Sequence, residues 1–216
     1  MFRQQLTRYC RPARLLVASY GPAHFRIDNN IVRELRSVDY LEQWRLASAN
    51  NWYHVRLEDN SLFLFNTEAE PSYSFLQCPL NVPSLREHIE ARGRVCDSKS
   101  CSEFDDEYQE LLSTAKYRKH VTPIRYDVAY SAYRAGVHPA AHVHIGLENH
   151  VRIGVEKEMT PIAFFLFVVR QMYPACWSRL VENYNGKSLQ KVIRDDLKSV
   201  PPNYFCELDQ LQLCLK

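Results

Sequence analysis

Thr160-Pro161-Ile162-Ala163-Phe164-Phe165-Leu166-Phe167-Val168-Val169-Arg170 is the stretch on which the fold turns. Threonine followed by proline opens a helix: Thr160 caps it, and Pro161 takes the first turn, where a missing N–H is harmless. From Ile162 to Val169 every residue is apolar, and the helix stops near Tyr173-Pro174. A helix that is apolar on all sides belongs at the centre of a core. The run is also far too short to span a bilayer, so no membrane partner is expected.

Upstream of this helix, residues 121–130, 140–145 and 150–153 read as three successive strands, an antiparallel meander. Side chains alternate between the faces of a strand. Ile124, Tyr126 and Val128 therefore oppose Arg125, Asp127 and Ala129, and Ala141, Val143 and Ile145 oppose His142 and His144. In the last strand, Val151 and Ile153 oppose His150 and Arg152. If the apolar faces pack on the Thr160 helix, the other face collects Arg125, Asp127, His142, His144, His150 and Arg152.

Further from the centre the signals are local. Residues 31–48 read as one amphipathic helix, and Tyr53–Leu57 with Ser61–Phe65 as a hairpin around Glu58-Asp59-Asn60. Tyr73–Leu80 adds a strand, and Ser84 with Glu87 forms a capping box for a helix running to Arg92. Residues 93–103 look like a linker, and Glu103–Lys116 like an acidic-first helix. After Pro174, helices are expected over Ala175–Asn183 and Ser188–Ser199, separated by Asn185-Gly186. The expected class is α+β: a mostly antiparallel sheet or sheets packed on a central apolar helix, with additional C-terminal helices. The expected organisation is a basic N-terminal arm over 1–30 and a single domain over 31–216, with an internal break at 93–103.

The arm is basic because Arg3, Arg8, Arg11, Arg14 and Arg26 precede or accompany a stretch with no acid before Asp28. The whole chain carries a net charge of only +2, too little by itself to imply a nucleic-acid partner. Seven cysteines without a C-x-x-C spacing, and no secretory leader pattern, point to reduced thiols and a cytoplasmic protein. Cys96 and Cys101 stand too far from other ligands to argue for zinc.

The chemistry concentrates in His138-Pro139-Ala140-Ala141-His142-Val143-His144, which holds three of the eight histidines. Imidazoles near neutral pKa can move protons, and guanidiniums can bind phosphate oxygens and stabilise developing negative charge. A polar sheet face is ordinary surface in many proteins, but histidine is not the usual residue for that role. The expected function is a metal-independent ribonuclease or related phosphodiester-cleaving effector. His142 and His144 would be the acid–base pair, with His138 as an additional catalytic candidate. Asp127 would orient an imidazole, and Arg125, Arg152, His150 and Arg170 would bind phosphate. RNA is the expected partner, and no cofactor is required.

Two alternatives stand beside this reading. One is a non-enzymatic accessory subunit that docks on a protein partner, such as an ATPase. The other is a metal-binding hydrolase or oxidase whose ligands are His142, His144 and Asp127. Gly136, His142, His144 and Glu148 reproduce the start of a cupin metal motif, but no histidine follows His150 to complete it.

Arg125-Tyr126-Asp127, His138-Pro139-x-x-His142-x-His144-Ile145-Gly146, Arg152 and Thr160-Pro161-x-x-Phe164-x-x-Phe167-x-x-Arg170-x-x-Tyr173-Pro174 together resemble a bacterial family, domain of unknown function 2290. The resemblance covers residues 120–178 and extends more loosely over 35–92. It implies a setting in mobile or anti-phage defence neighbourhoods, or a toxin-type role, and it groups Arg125, Asp127, His138, His142, His144 and Arg170 as one set.

Overall fold

The computed structural model describes residues 2–13, 17–148, 150–184, 186–211 and 214–215. In chain order it begins with α1 (Phe2–Ala13), β1 (Val17–Tyr20), α2 (Asn29–Arg36), α3 (Tyr40–Ala49), β2 (Val55–Leu57), β3 (Leu62–Asn66) and β4 (Ser72–Leu76). Next come α4 (Leu85–Glu90), α5 (Ser98–Glu103), α6 (Asp105–Thr114), β5 (Ile124–Val128), β6 (Ala141–Ile145) and β7 (Arg152–Val155). The chain finishes with α7 (Pro161–Met172), α8 (Pro174–Asn183), α9 (Gly186–Gln190), α10 (Glu207–Gln210) and β8 (Cys214–Leu215). The class is α+β, as the sequence leads one to expect.

Two compact units divide the chain. The first is built from Met1–Leu16, Phe63–Phe75 and Thr122–Lys216, the second from Val17–Leu62 and Leu76–Val121. In the first unit the strands are neighbours in chain order. β4, β5, β6 and β7 pair antiparallel, and β8 lies parallel to β7. The meander read from the sequence is therefore present, with β5 shorter at both ends, β6 starting one residue later and β7 shifted two residues toward the C-terminus. The apolar face of the sheet meets α7 through β3 and β4. Phe164 is fully buried and its ring lies 5.8 Å from Tyr73, 6.4 Å from Phe63 and 6.3 Å from Phe65. Thr160 caps α7 by accepting the Ala163 N–H at 3.2 Å, which satisfies one of the orphan donors of the first turn.

Within the basic N-terminal segment, Phe2–Ala13 form the helix α1 and Val17–Tyr20 the strand β1. α1 buries Leu6, Tyr9, Cys10 and Ala13 and packs on α7 and α8, leaving Arg3, Arg8 and Arg11 exposed. Arg14 lies outside the described residues, as does Asn185 of the predicted Asn185-Gly186 turn. The expected helix over Ser188–Ser199 begins as α9 and continues as a π-helical turn over Lys191–Asp195.

In the second unit, the single helix expected over 31–48 is two. Asp39 accepts the Glu42 N–H at 3.0 Å and starts α3 afresh. The hairpin turn has Asn60 in the left-handed region (φ 65°), which asparagine tolerates better than most residues. Asn60 is also a polar hub. Its carbonyl accepts Trp44 Nε1–H at 2.8 Å, and its amide donates to the Tyr108 hydroxyl at 2.7 Å. The Ser84–Glu87 capping box forms as expected. Of residues 93–103, the first part up to Asp97 is irregular and the rest is helical: Asp97 and Ser100 form a second capping box that opens α5.

Candidate functional site

β5, β6 and β7 deliver the site by register. Arg125 lies opposite His144, Asp127 opposite His142, and Arg152 opposite His144 on the other side. On the neighbouring strand β4, Ser72 faces Asp127. Alternation thus brings Arg125, Asp127, His142, His144 and Arg152 to one face, as the sequence reading requires.

That face is not an open one where the histidines stand. His142 and His144 are only 2% and 3% exposed. Their Nε2 atoms lie 3.0 Å apart, and His144 Nε2 is 3.6 Å from Asp127 Oδ2. The third side is set by a carbonyl: His142 Nδ1 lies 2.9 Å from the Pro139 oxygen. A carbonyl only accepts, so Nδ1 carries the hydrogen, and a neutral His142 turns the lone pair of Nε2 toward the cluster. His144 Nδ1 and His138 Nδ1 are buried with no hydrogen-bond partner among the described residues.

Burial disfavours charge on both imidazoles. The His144 pKa is pushed down to about 4, by burial first and then by Arg125 and His142, against the opposing pull of Asp127. His142 is lowered too, again by burial first, with His138 and Arg152 adding to it. Asp127 behaves oppositely. Burial alone would raise its pKa, but Arg125 and the Ser72 hydroxyl outweigh that and hold it below the usual carboxylate value. Arg125 Nε donates to Asp127 Oδ2 at 2.5 Å, and Ser72 Oγ donates to Oδ1 at 2.7 Å. At neutral pH the cluster is two neutral imidazoles and one carboxylate.

The ligand atoms of Asp127, His142 and His144 all fall within 4.8 Å of one another. Donors about 2.0–2.1 Å from a tetrahedral zinc ion stand roughly 3.3 Å from each other. The observed 3.0 and 3.6 Å bracket that value. A hydrogen on His144 Nε2 can bridge to His142 Nε2, and a divalent cation would engage all three donor atoms at once.

The loop before β6 positions this arrangement. Arg134 and His138 exchange backbone hydrogen bonds, Arg134 N to His138 O at 3.0 Å and His138 N to Arg134 O at 2.8 Å. Gly136 sits at the tip with φ 66°, a conformation that costs a residue with a Cβ. Asp209, 4% exposed, fastens the loop: Oδ1 accepts Gly136 N–H at 2.9 Å and Oδ2 accepts the Tyr133 hydroxyl at 2.7 Å. The His138 ring then stands edge-on to His142, centroids 4.9 Å apart.

Two expected members fall outside. His150 precedes β7, is 86% exposed and pairs with Glu148 at 2.9 Å. The strand starts two residues later than expected, so His150 belongs to the turn. Arg170 is exposed at the end of α7 and lies over the Trp177 ring at 5.8 Å, while α7 packs on the face opposite the histidines. Conversely, Ser72, the Pro139 carbonyl and Asp209 are not singled out by the sequence. Only Ser72 had a legible signal, the alternation of its strand beside β5.

A family model described as an uncharacterised conserved protein (DUF2290) matches residues 22–201. The chain belongs to that family. The family match takes in every member of the cluster and covers both 35–92 and 120–178. No curated protein and no solved structure matches the chain. Among the described residues no helix is long and apolar enough to cross a membrane.

Proposed function

We propose that Asp127, His142 and His144 hold one divalent transition-metal ion and that the chain is a metal-dependent phosphodiesterase, with RNA the first substrate to test. The observation that carries this reading is the convergence of two imidazole nitrogens and one carboxylate oxygen within 4.8 Å of one another, on rings that are buried and kept neutral. When bound, such an ion supplies a Lewis acid and lowers the pKa of a coordinated water toward neutrality. The chain's own groups do the rest. Pro139 fixes the tautomer of His142, Arg125 and Ser72 orient Asp127, and Arg152, exposed beside His144, offers a guanidinium to a substrate phosphate.

The same geometry argues against two imidazoles working without metal as separate acid and base. Nitrogens 3.0 Å apart leave no gap for a scissile phosphate. With both pKa values depressed, neither ring is a ready proton donor at neutral pH. The setting in bacterial defence, with a protein partner, is proposed on the sequence resemblance alone.

The test is metal content together with turnover. Purified protein should bind Zn2+ or Mn2+ stoichiometrically and cleave bis(p-nitrophenyl) phosphate or RNA, with activity lost to chelator and restored by the ion. His144→Ala should lose both ion and activity. Arg152→Ala should keep the ion and lose about tenfold or more in turnover, the scale of one charge-assisted phosphate contact. Undiminished RNA cleavage in chelator would return the metal-free mechanism. Protein that takes up no ion and cleaves nothing favours the accessory-subunit reading.

A further inference from the structure

In the second unit, Cys96 and Cys101 face one another with their sulfurs 3.5 Å apart. The approach is built into the local fold. Asp97 caps α5 by accepting the Ser100 N–H at 2.8 Å, and its own N–H is taken by Ser100 Oγ at 3.0 Å. Cys101 N–H donates to the Asp97 carbonyl at 2.9 Å. This closed turn holds the residue before the cap against the middle of the helix. Both thiols are partly exposed, and neighbouring Val95 is 79% exposed, so a small oxidant can reach them.

We propose that Cys96 and Cys101 are a modification site, a dithiol that hydrogen peroxide converts reversibly to an intramolecular disulfide. One thiol is oxidised to a sulfenic acid, releasing one water. The second thiol displaces the hydroxyl, releasing another water and forming the S–S bond. Two thiols lose two hydrogens and peroxide is reduced to two waters; a small dithiol reverses the reaction by exchange. The sulfurs need to close by only about 1.5 Å to reach bonding distance. Burial and the adjacent Cys96 sulfur push the Cys101 thiol up, with Arg86 pulling against them; the 3.5 Å approach of the two sulfurs is what favours closure once either is oxidised. Cys10 and Cys78 are poor competitors, since both are buried away from an oxidant. The proposal is independent of the metal reading, because its residues and its readout are separate.

Trypsin cuts after Arg94, Lys99 and Lys116, which places the two cysteines on different peptides, 95–99 and 100–116. After peroxide treatment of the full chain, denaturation and alkylation, these peptides should appear joined and lighter by two hydrogens. Titratable thiols should fall from seven to five. Dithiothreitol should restore them, and Cys96→Ser should abolish the joined species while keeping Cys101 alkylatable. Thiol loss spread over Cys176 and Cys206 before the joined peptide forms would overturn the proposal. So would oxidation of Cys96 or Cys101 singly to sulfinic acid.

Discussion

At the scale of single residues, the Pro139 carbonyl decides which nitrogen of His142 faces the cluster, and burial decides that both imidazoles are neutral. A histidine whose pKa is lower in the fold than in the unfolded chain makes stability depend on pH in one direction. Below its ordinary value of 6.5 the unfolded chain takes up a proton that folded His144 refuses until about 4. Its contribution is fully present above 6.5 and is lost as pH falls through that window. The shift corresponds to about 3 kcal/mol at most. Urea unfolding of the chelated protein from pH 7 to pH 4 should show this loss, and His144→Gln should flatten the curve. A wild-type profile that is already flat would mean that folded His144 titrates normally.

At the scale of elements, the loop between β5 and β6 matters more than either strand. It carries His138 and Pro139, and Asp209 is its anchor. Burial would push the Asp209 carboxyl up, but N–H donors from Cys206 and Gly136 and the Tyr133 hydroxyl hold it low and ionised. Asp209→Asn leaves an amide that cannot accept on both sides. It should cost about 1–3 kcal/mol and speed exchange of the Gly136 amide hydrogen. Because the loop sets the His142 tautomer, metal affinity should also fall about tenfold, the lower end for lost outer-shell contacts. Unchanged affinity with a loosened Gly136 amide would show that the loop does not position the ligand. The histidines of β6 were legible because strand alternation is a local rule. Asp209 was not, because its partners Tyr133 and Gly136 lie more than seventy residues away and nothing local marks it.

At the scale of the whole molecule, α7 is the element on which the first unit's sheet depends. Phe164 is fully buried against rings from β3 and β4, so Phe164→Ala should cost about 3–5 kcal/mol in chemical denaturation. A loss under 1 kcal/mol would mean that the sheet finds its core elsewhere. The sequence by itself determined the α+β class, the buried helix after Thr160, the three-strand meander and the face shared by Arg125, Asp127, His142, His144 and Arg152. Periodicity and capping chemistry are written in neighbouring residues, so they survive without knowledge of the fold. The same local reading joined α2 to α3, because apolar spacing runs on through the break that Asp39 caps. It also misses α5 at the end of 93–103, because Asp and Ser serve equally in loops and in capping boxes. Only the tertiary structure decided that His150 and Arg170 stand apart, that His142 and His144 are buried, and that their nitrogens meet Asp127 within reach of one ion. Those outcomes depend on where each strand begins, on what covers the sheet face and on rotamers set by distant partners. A chain read residue by residue carries none of these.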